Sequence, residues 1–344
     1  MLSRRNFLKG LIGTGFVLTN GNLLFNSTAD TSKEDALFRI CVDGKHGFID
    51  RTGKMIVPPQ YEEALGFYEG LGHVKIGGRW GYIDTSGNFV IEPQFIGYGV
   101  FSEGLASAMI ENNKWGYIDK NGQWAIKPQF DSACDFAEGL ACVLLNNKWM
   151  FINKRGEIAV NKEFQQCSRF SEGLATINIG EKYGYMDKSG AFIIPPLYHS
   201  ANDFKEGLAS VGHSARSNIF IDRNDRVVIN NRHFQSADSF SEGLAAIEID
   251  GKLGFINKAG EIVIEPKFMS YGQFNGFSSG LAAVRDENQY GFIDVSGNFV
   301  IEPKYDYAHN FLYGLAKVWK FDYKDDMAMG YIDRSGKYIW EPTA

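Results

Sequence analysis

The sequence predicts an all-β protein built as a tandem repeat of nine three-stranded units. Three observations predict this fold class: many aromatic residues, a motif that returns at a near-constant period, and strand-like alternation within each period. The 344 residues include 27 Phe, 16 Tyr and 6 Trp. Aromatic residues favour strands and supply large buried area.

The repeat is anchored on the residue before an aromatic residue, an Ile or Met, and an Asp or Asn. Nine anchors follow one another at spacings of 34 to 39 residues: Gly47, Gly81, Gly116, Met150, Gly184, Ile219, Gly254, Gly291 and Gly330. Length alone suggests about two domains. A period of about 35 residues over the whole chain instead indicates one repeat domain.

Each unit contains three strand signals, illustrated by the third copy. An apolar run at 105–110 and the alternating segment 114–118 are separated by an Asn-Asn turn. Asp119, with Gly122 three residues later, predicts a tight turn in which the carboxylate accepts backbone N–H groups. We favour this turn over a row of cation-binding carboxylates because Asn replaces the Asp in two copies. A third strand is expected to end near Pro128, since proline cannot donate to a sheet.

The linkers between units repeat as regularly as the strands. An aromatic residue is followed six positions later by a Phe, which we interpret as a core residue beneath a long loop: Phe67, Phe101, Phe136, Phe170, Phe204, Phe240, Phe274 and Phe311. A Gly-Leu pair then precedes the next strand in all eight linkers. A Glu stands before the Gly in six of them, and a residue repeated six times suits a structural contact better than a catalytic acid.

Units of this kind expose apolar faces that only a neighbouring unit can cover. A β-propeller-like ring and an open, curved β-array both satisfy this requirement. We favour the ring. The expected organisation is an export signal at 1–29, a short linker at 30–36 and a single β domain at 37–344.

The N-terminus resembles the twin-arginine export signal of bacteria. The motif residues are Arg4, Arg5, Phe7 and Leu8, and no charged residue follows Lys9 until Asp30. Ser27 and Ala29 supply small residues for cleavage between Ala29 and Asp30. The resemblance implies export of a folded protein to the periplasm or cell surface of a bacterium, with membrane contact only through this segment.

The segments KWGYID and EGLA resemble the WG (or KWG) repeat family over residues 37–344. The resemblance implies a bacterial all-β repeat module that acts as an interaction surface, without a general enzymatic assignment. Unit 4 departs from the pattern at Met150 and Lys162, and unit 6 at Ile219 and Asp225.

No motif for catalysis, cofactor binding or metal binding is recognisable, and we assign no residue to these roles. The four cysteines form no CxxC pair; they are expected to be buried, with a Cys134–Cys167 disulfide as the alternative because both fall in equivalent loops. The formal net charge of -6 gives no electrostatic basis for nucleic-acid binding. The candidate binding residues are Trp80, Trp115 and Trp149, which either stack on ligands or pack between units.

The sequence favours binding over catalysis. We expect an exported binding or scaffolding module for protein, peptide or envelope-glycan partners, because a broad repeated surface suits binding. The alternative is a hydrolase of envelope polymers with its site at the centre of a β ring. Unlike polar residues that converge from several units would favour the enzyme.

Overall fold

The computed structural model describes residues 36–111, 113–214, 217–231, 233–270, 276–321 and 327–343. Within these ranges the chain forms nine antiparallel sheets and no helix, so these ranges hold no helix that could cross a bilayer. The sheets are the blades of a closed ring, a nine-bladed β-propeller. The expected ring is confirmed and the open array is wrong. The export and cleavage residues lie outside the described ranges: Arg4, Arg5, Phe7, Leu8, Ala29 and Asp30.

Consecutive strands form each blade. Blade 1 contains β1 (Phe38–Val42), β2 (Lys45–Ile49) and β3 (Met55–Tyr61). Blade 2 contains β4 (Glu63–Tyr68), β5 (Leu71–Ile76), β6 (Arg79–Ile83) and β7 (Phe89–Phe95). Blade 3 contains β8 (Gly97–Tyr98), β9 (Leu105–Met109), β10 (Trp115–Asp119) and β11 (Trp124–Phe130). Blade 4 contains β12 (Ser132–Ala133), β13 (Leu140–Leu145), β14 (Lys148–Asn153) and β15 (Ile158–Phe164). Blade 5 contains β16 (Gln166–Cys167), β17 (Leu174–Ile179), β18 (Lys182–Asp187) and β19 (Phe192–Tyr198).

The remaining blades follow the same order. Blade 6 contains β20 (Ser200–Ala201), β21 (Ala209–Ser214), β22 (Ser217–Ile221) and β23 (Val227–Asn230). Blade 7 contains β24 (Ser236–Ala237), β25 (Leu244–Ile249), β26 (Lys252–Asn257) and β27 (Ile262–Met269). Blade 8 contains β28 (Ala282–Asp286), β29 (Gln289–Ile293) and β30 (Phe299–Tyr305). Blade 9 contains β31 (Tyr307–Leu312), β32 (Leu315–Phe321), β33 (Met327–Ile332) and β34 (Tyr338–Thr343).

The three predicted strands occur in every blade, but seven of the nine described sheets have a fourth strand at their start. It lies in the segment that we expected to be a loop. In five blades this strand is only two residues long, as in β12. Two residues carry no readable alternation, so the sequence pattern could not reveal it.

A bulge in the last strand of each regular blade explains the repeated proline. In blade 3, Tyr117 pairs with Ile126 and Trp115 pairs with Phe130, so β11 has two extra residues between the pairs. Pro128 lies in this bulge, where a missing N–H costs no ladder bond. The expectation that the strand ends near Pro128 is therefore wrong, because β11 continues to Phe130.

The anchor glycine makes room for this bulge. A Cβ atom on Gly116 would lie 2.5 Å from the carbonyl oxygen of Ile126 and 2.7 Å from the nitrogen of Pro128. A similarly close approach to the facing strand occurs at Gly47, Gly81, Gly184, Gly254 and Gly291. In blade 6 the anchor is Ile219, which pairs with Asn230 without a bulge at that point. Blade 4 keeps the same register shift with Met150 at the anchor and Lys162 in place of the proline. The Gly and the Pro therefore fit the bulge but are not both required for it.

The Glu-Gly pair of each linker connects one blade to the next. Glu138 adopts a left-handed conformation with φ of 53°, and its carboxylate accepts a 3.0 Å hydrogen bond from the Gly173 N–H of blade 5. Lys188 of blade 5 lies 2.8 Å from the same carboxylate. The carboxylate-to-glycine bond recurs between Glu69 and Gly104, Glu103 and Gly139, Glu172 and Gly207, Glu206 and Gly243, and Glu242 and Gly280. The structural interpretation of the repeated Glu is confirmed.

The repeated Asp is a turn residue. The Oδ1 atom of Asp119 accepts hydrogen bonds of 2.9 Å from the N–H groups of Asn121 and Gln123. Gly122 has a φ of 77°, and a Cβ there would lie 3.0 Å from Ile91 of the preceding blade. The turn thus closes its own hairpin and packs against the neighbouring blade.

Aromatic residues fill the space between blades. The ring of Phe136 lies 4.8 Å from that of Tyr117 in the preceding blade, and the Tyr117 hydroxyl donates to the Cys134 carbonyl at 2.7 Å. In the seventh linker the equivalent ring is that of Phe277, which is buried and lies 5.0 Å from Phe255. The predicted Phe274 lies outside the described residues, whereas Phe277 stands four residues before Leu281, the spacing that the linker Phe has in the other blades.

Among the described residues, the ring closes through side chains of the first and last blades, and no strand is shared between their sheets. The Tyr331 hydroxyl of blade 9 donates to the Arg39 carbonyl of blade 1 at 2.8 Å. The rings of Phe38 and Tyr331 meet edge to face at 5.4 Å. Trp319 and Met329 are buried in the same apolar cluster as Phe38. We call this contact between blades 9 and 1 the seam.

We predict that Gly116→Ala destabilises the protein by about 3 kcal/mol, because the new methyl group would overlap backbone atoms of the bulge. The control is Gly104→Ala, whose new methyl group would meet no atom within 4 Å, although the residue has a φ of 86°. That variant should lose only about 1 kcal/mol. Urea denaturation measures both, and equal losses would contradict the role of Gly116.

We predict that Glu138→Gln lowers the free energy of unfolding by about 1 kcal/mol at pH 7. Burial alone would raise the pKa of Glu138, but hydrogen bonds from Lys188 and the Gly173 N–H lower it overall. A lowered folded-state pKa stabilises the protein above the unfolded value of 4.5, and this contribution disappears as the pH falls below it.

The control for this variant is Glu163→Gln, which removes an exposed ion pair with Lys148 inside one blade. It should change stability by less than about 0.5 kcal/mol. Denaturation midpoints from pH 3 to pH 7 compare the two variants with the native chain. A pH-independent loss for Glu138→Gln would argue against the ion pair between blades.

Candidate functional site

The inner edge of each blade is its first strand. The last strands are the exposed ones, and their side chains include Val90, Ile158 and Val228 at 43%, 57% and 46% exposure. In a ring of blades, one edge strand faces outward and the other lies toward the axis. The short first strands and the residues that follow them therefore line the axis.

Unlike polar residues converge at this inner edge on blades 4 to 7. Asp135, Arg169 and Asp203 occupy equivalent positions, each directly before the linker Phe, on blades 4, 5 and 6. Asp238 lies one position earlier in the repeat frame, on blade 7. We call these four residues the acidic arc. None of them belongs to the repeat pattern.

Contacts within the acidic arc cross from blade to blade. Asp203 accepts hydrogen bonds from the hydroxyls of Ser168 at 2.8 Å and Thr176 at 3.1 Å, both in blade 5. Burial raises the pKa of Asp135 to about 6, although the Arg169 charge and the Val100 N–H oppose this shift. Burial also raises the pKa of Asp238. Asp135 keeps part of its surface exposed, which fits a carboxyl deep in the ring but open to the axis.

A disulfide lies at the same inner edge. Cys142 of β13 and Cys167 of β16 are bonded across the interface between blades 4 and 5, with Cα atoms 6.4 Å apart. The alternative pairing of Cys134 with Cys167 is wrong. Cys134 is a free thiol whose pKa burial raises to about 12. Such a thiol is a poor nucleophile.

Cations and aromatic rings converge on the opposite side of the ring, at the seam. Lys317 lies with its Nζ 5.4 Å from the centroid of Trp319 and 5.9 Å from that of Tyr331. Arg39 of blade 1 donates from Nη1 to the Ala64 carbonyl at 2.8 Å. The ring of His309 lies 5.0 Å from Trp319. We call Arg39, His309, Lys317, Trp319 and Tyr331 the cationic cluster.

Desolvation perturbs the basic groups of this cluster. Burial and, to a smaller extent, the charge of Arg39 lower the pKa of Lys317 to about 7. The His309 side chain is exposed, but desolvation by the surrounding ring and the charges of Lys317 and Arg39 lower its pKa. Among the ion pairs formed by the described residues, none involves Arg39 or Lys317. At neutral pH the seam thus holds cationic groups without a carboxylate partner in the described chain.

The three candidate binding tryptophans lie between blades. Trp80 is 4% exposed and its ring lies 4.0 Å from that of Tyr98. Trp115 and Trp149 are half-buried against separate apolar clusters. These positions agree with packing between units, and a ligand-binding role for the three residues stays a prediction.

The described residues contain no group of three or more His, Cys, Asp or Glu side chains that could hold a metal ion. Sequence reasoning missed both the acidic arc and the cationic cluster. The signal was present, because the copies differ in charge at positions beside the repeated Phe and Leu. The repeat was recognised from the residues that its copies share. The charged residues lie at positions where the copies differ.

The WG containing repeat model matches the chain at residues 47–80, 80–115, 115–149, 149–183, 183–212, 220–252, 254–290 and 290–318. These are eight copies, one fewer than the nine blades. No curated protein matches the chain.

Among solved structures, a eukaryotic initiation factor is similar in fold, with a TM-score of 0.62 and 11% identity over 89% of this chain and 96% of that one. BamB from Moraxella catarrhalis has a TM-score of 0.48 and 10% identity, covering 86% of this chain and 99% of its own. The designed protein Ika8 has a TM-score of 0.48 and 9% identity, covering 80% and 94%. At these identities the first likeness shows the propeller fold alone, and the other two are too weak to use.

The matched repeats run from blade 1 into blade 9, and their shared residues are those that form the bulge, the Asp turn and the Glu contact between blades. The chain therefore belongs to the family of proteins with WG-containing repeats.

Proposed function

We propose that this protein is an exported binding module of the bacterial envelope, which recognises a protein, peptide or glycan partner at the inner edge of its ring. The observation that carries this proposal is that positions shared by the copies and positions that differ between copies have different roles. The shared residues hold blades together, whereas the unlike charges of the acidic arc and the cationic cluster lie where the copies differ. A single binding site needs each of its residues only once, so these residues are not expected to recur in every copy.

The proposed export rests on the N-terminal motif and is supported by the cysteines. The motif residues Arg4 and Arg5 precede an uncharged stretch of the length that an export signal requires. The disulfide between Cys142 and Cys167 suits an oxidising compartment such as the periplasm. Both observations favour a location outside the cytoplasm.

One observation favours a second candidate function, hydrolysis of an envelope polymer. A carboxyl group with a pKa of about 6, as at Asp135, suits a general acid. Glycoside hydrolysis needs a second carboxylate within about 10 Å, and Asp203 is the nearest in the repeat frame. The hydroxyls of Ser168 and Thr176 already bind Asp203, which fits a positioned binding group better than a reacting one. We therefore place binding first.

The binding proposal predicts that chain 30–344, which contains the whole ring, retains a partner from envelope extracts or a glycan on an array. The double variant Asp135→Asn, Arg169→Gln should weaken that interaction at least tenfold. The matched control is Lys127→Gln, because Lys127 is exposed on the outer strand of blade 3. Retention by neither method, or equal retention by the inner-edge variant, would contradict the proposal. Release of sugars that Asp135→Asn abolishes would instead support the hydrolase.

The export proposal predicts that the double variant Arg4→Lys, Arg5→Lys stays in the cytoplasm. Fractionation measures its location, and thiol labelling measures the state of Cys142 and Cys167. We expect the retained variant to remain reduced, and the native protein in the periplasm to be oxidised. The control is Lys9→Arg, which preserves the charge beside the motif. Normal export of the double variant would refute the twin-arginine route.

A further inference from the structure

The seam differs from every other interface in the ring at one position of the strand that starts at the repeated Leu. This position is the second residue after the Leu that begins the strand. Along the chain it is occupied by Arg39, His73, Ser107, Cys142, Thr176, Ser210, Ala246, Ala283 and Lys317. From blade 3 to blade 8 the residue is small and uncharged. Lys317, Arg39 and His73 are therefore three basic residues on the consecutive blades 9, 1 and 2.

Lys317 and Arg39 differ from His73 in their burial and in their contacts. His73 is fully buried, and its two ring nitrogens lie 3.4 Å from the Gly66 carbonyl oxygen and 2.7 Å from that of Gly99. These contacts explain His73 as a structural residue. Lys317 and Arg39 keep part of their surface exposed, and the contacts described for Lys317 are with aromatic ring faces.

In the sequence, the segment before blade 1 does not have the Phe that recurs in the linkers before the other blades. Between blades 3 and 4, for example, Phe136 packs against Tyr117 at 4.8 Å. Four residues before the first Leu of blade 1, where the other blades have this Phe, the sequence has Lys33. Among the described residues, blade 1 has three strands, as blade 8 also has. Tyr331, the counterpart of Tyr117, faces Phe38 of β1.

This arrangement is unfavourable for stability. A buried cation loses hydration, and an ion pair or hydrogen bonds must compensate for that loss. The charge that acts on Lys317 is that of Arg39, which has the same sign. The rings of Trp319 and Tyr331 compensate in part through cation–π attraction. A purely structural interface would be more stable with an apolar residue, as Ala246 and Ala283 show on blades 7 and 8.

We propose that the seam is a binding site for a small carboxylate- or phosphate-bearing ligand, held between blades 9 and 1 by Lys317 and Arg39. The planar fork of a guanidinium and the point charge of an ammonium both suit oxyanions. The bound anion supplies the charge that the described chain does not. This inference deepens the proposed binding function, on which it rests, and it does not depend on export.

The site has a definite pH dependence. The groups that face Lys317 are Arg39 of β1, His46 of β2, His309 of β31 and Tyr331 of β33. Desolvation lowers the pKa of both histidines and raises that of Tyr331. Lys317, with a pKa of about 7, is therefore the group that gains charge between pH 8 and pH 6. Anion binding should tighten over that range.

The test is calorimetric titration of the full chain with inorganic phosphate, with D-glucuronate and with neutral D-glucose, at pH 6 and pH 8. We expect one or both anions to bind, more tightly at pH 6, and glucose not to bind. Lys317→Met should weaken anion binding at least tenfold. The matched control is Lys320→Met, because Lys320 is exposed on the same strand and should leave binding unchanged.

Thermal unfolding separates a binding role from a structural one. Without ligand, Lys317→Met should unfold at the same temperature as the native chain or higher, because it removes an uncompensated cation. A lower unfolding temperature together with unchanged anion binding would overturn the proposal. So would equal binding of glucose and glucuronate, or equal losses for Lys317→Met and Lys320→Met.

The acidic residues Glu34 and Asp35 directly precede the ring in the sequence, so they enter the test as a separate variant. Anion binding that appears only in Glu34→Gln, Asp35→Asn would mean that the chain fills its own seam, and would overturn the proposal for a free ligand. Absence of anion binding in every form would do the same. Partner retention that depends on the acidic arc would still stand in that case, so the two proposals fail separately.

Discussion

Contact between neighbouring blades is the interaction on which the rest of this structure depends. A blade of three or four short strands buries its faces only against the blades beside it. The same few contacts therefore recur: a Glu carboxylate on the next Gly N–H, a tyrosine hydroxyl on the next carbonyl, and an Asp turn against the preceding strand. Glu138, Tyr117 and Gly122 illustrate one contact each. Most shared residues of the repeat serve one of these contacts or the bulge beside the anchor.

The same constraint explains why the seam is exceptional. Blade 9 cannot use the Glu contact, because Ser279 and Tyr313 replace the Glu in the last two linkers. Closure rests instead on Tyr331, Phe38 and a shared apolar cluster. The seam keeps the tyrosine hydroxyl contact of Tyr331 and the packing of the Asp turn, in which Gly53 lies against Ile339 of blade 9. An interface without the Glu contact can accept residues that stability alone would reject. Lys317 and Arg39 are such residues, and this is why we place a ligand between them.

The sequence was sufficient for the fold class, the number of units and the structural meaning of the repeated Asp and Glu. These features follow from local chemistry that recurs in each copy of the repeat. It was insufficient for the two-residue inner strands and for the continuation of β11 past Pro128, because both depend on pairing with distant residues. Phe277 was missed since an insertion shifted the frame. The charged residues of the inner edge were missed because a single copy gives no reason to notice Asp135 or Lys317.

The central claim is that the repeated contacts between blades stabilise the ring and that the seam is less stable than the other interfaces. Amide hydrogen exchange of the ligand-free full chain measures the claim most directly. We predict that β1 and β32, the strands on either side of the seam, exchange fastest among the strands that start at the repeated Leu. We predict that β13 and β17 exchange slowest, because the Glu138 contact and the disulfide join their two blades. Equal protection of β1, β13, β17 and β32, or greater protection at the seam, would contradict the account.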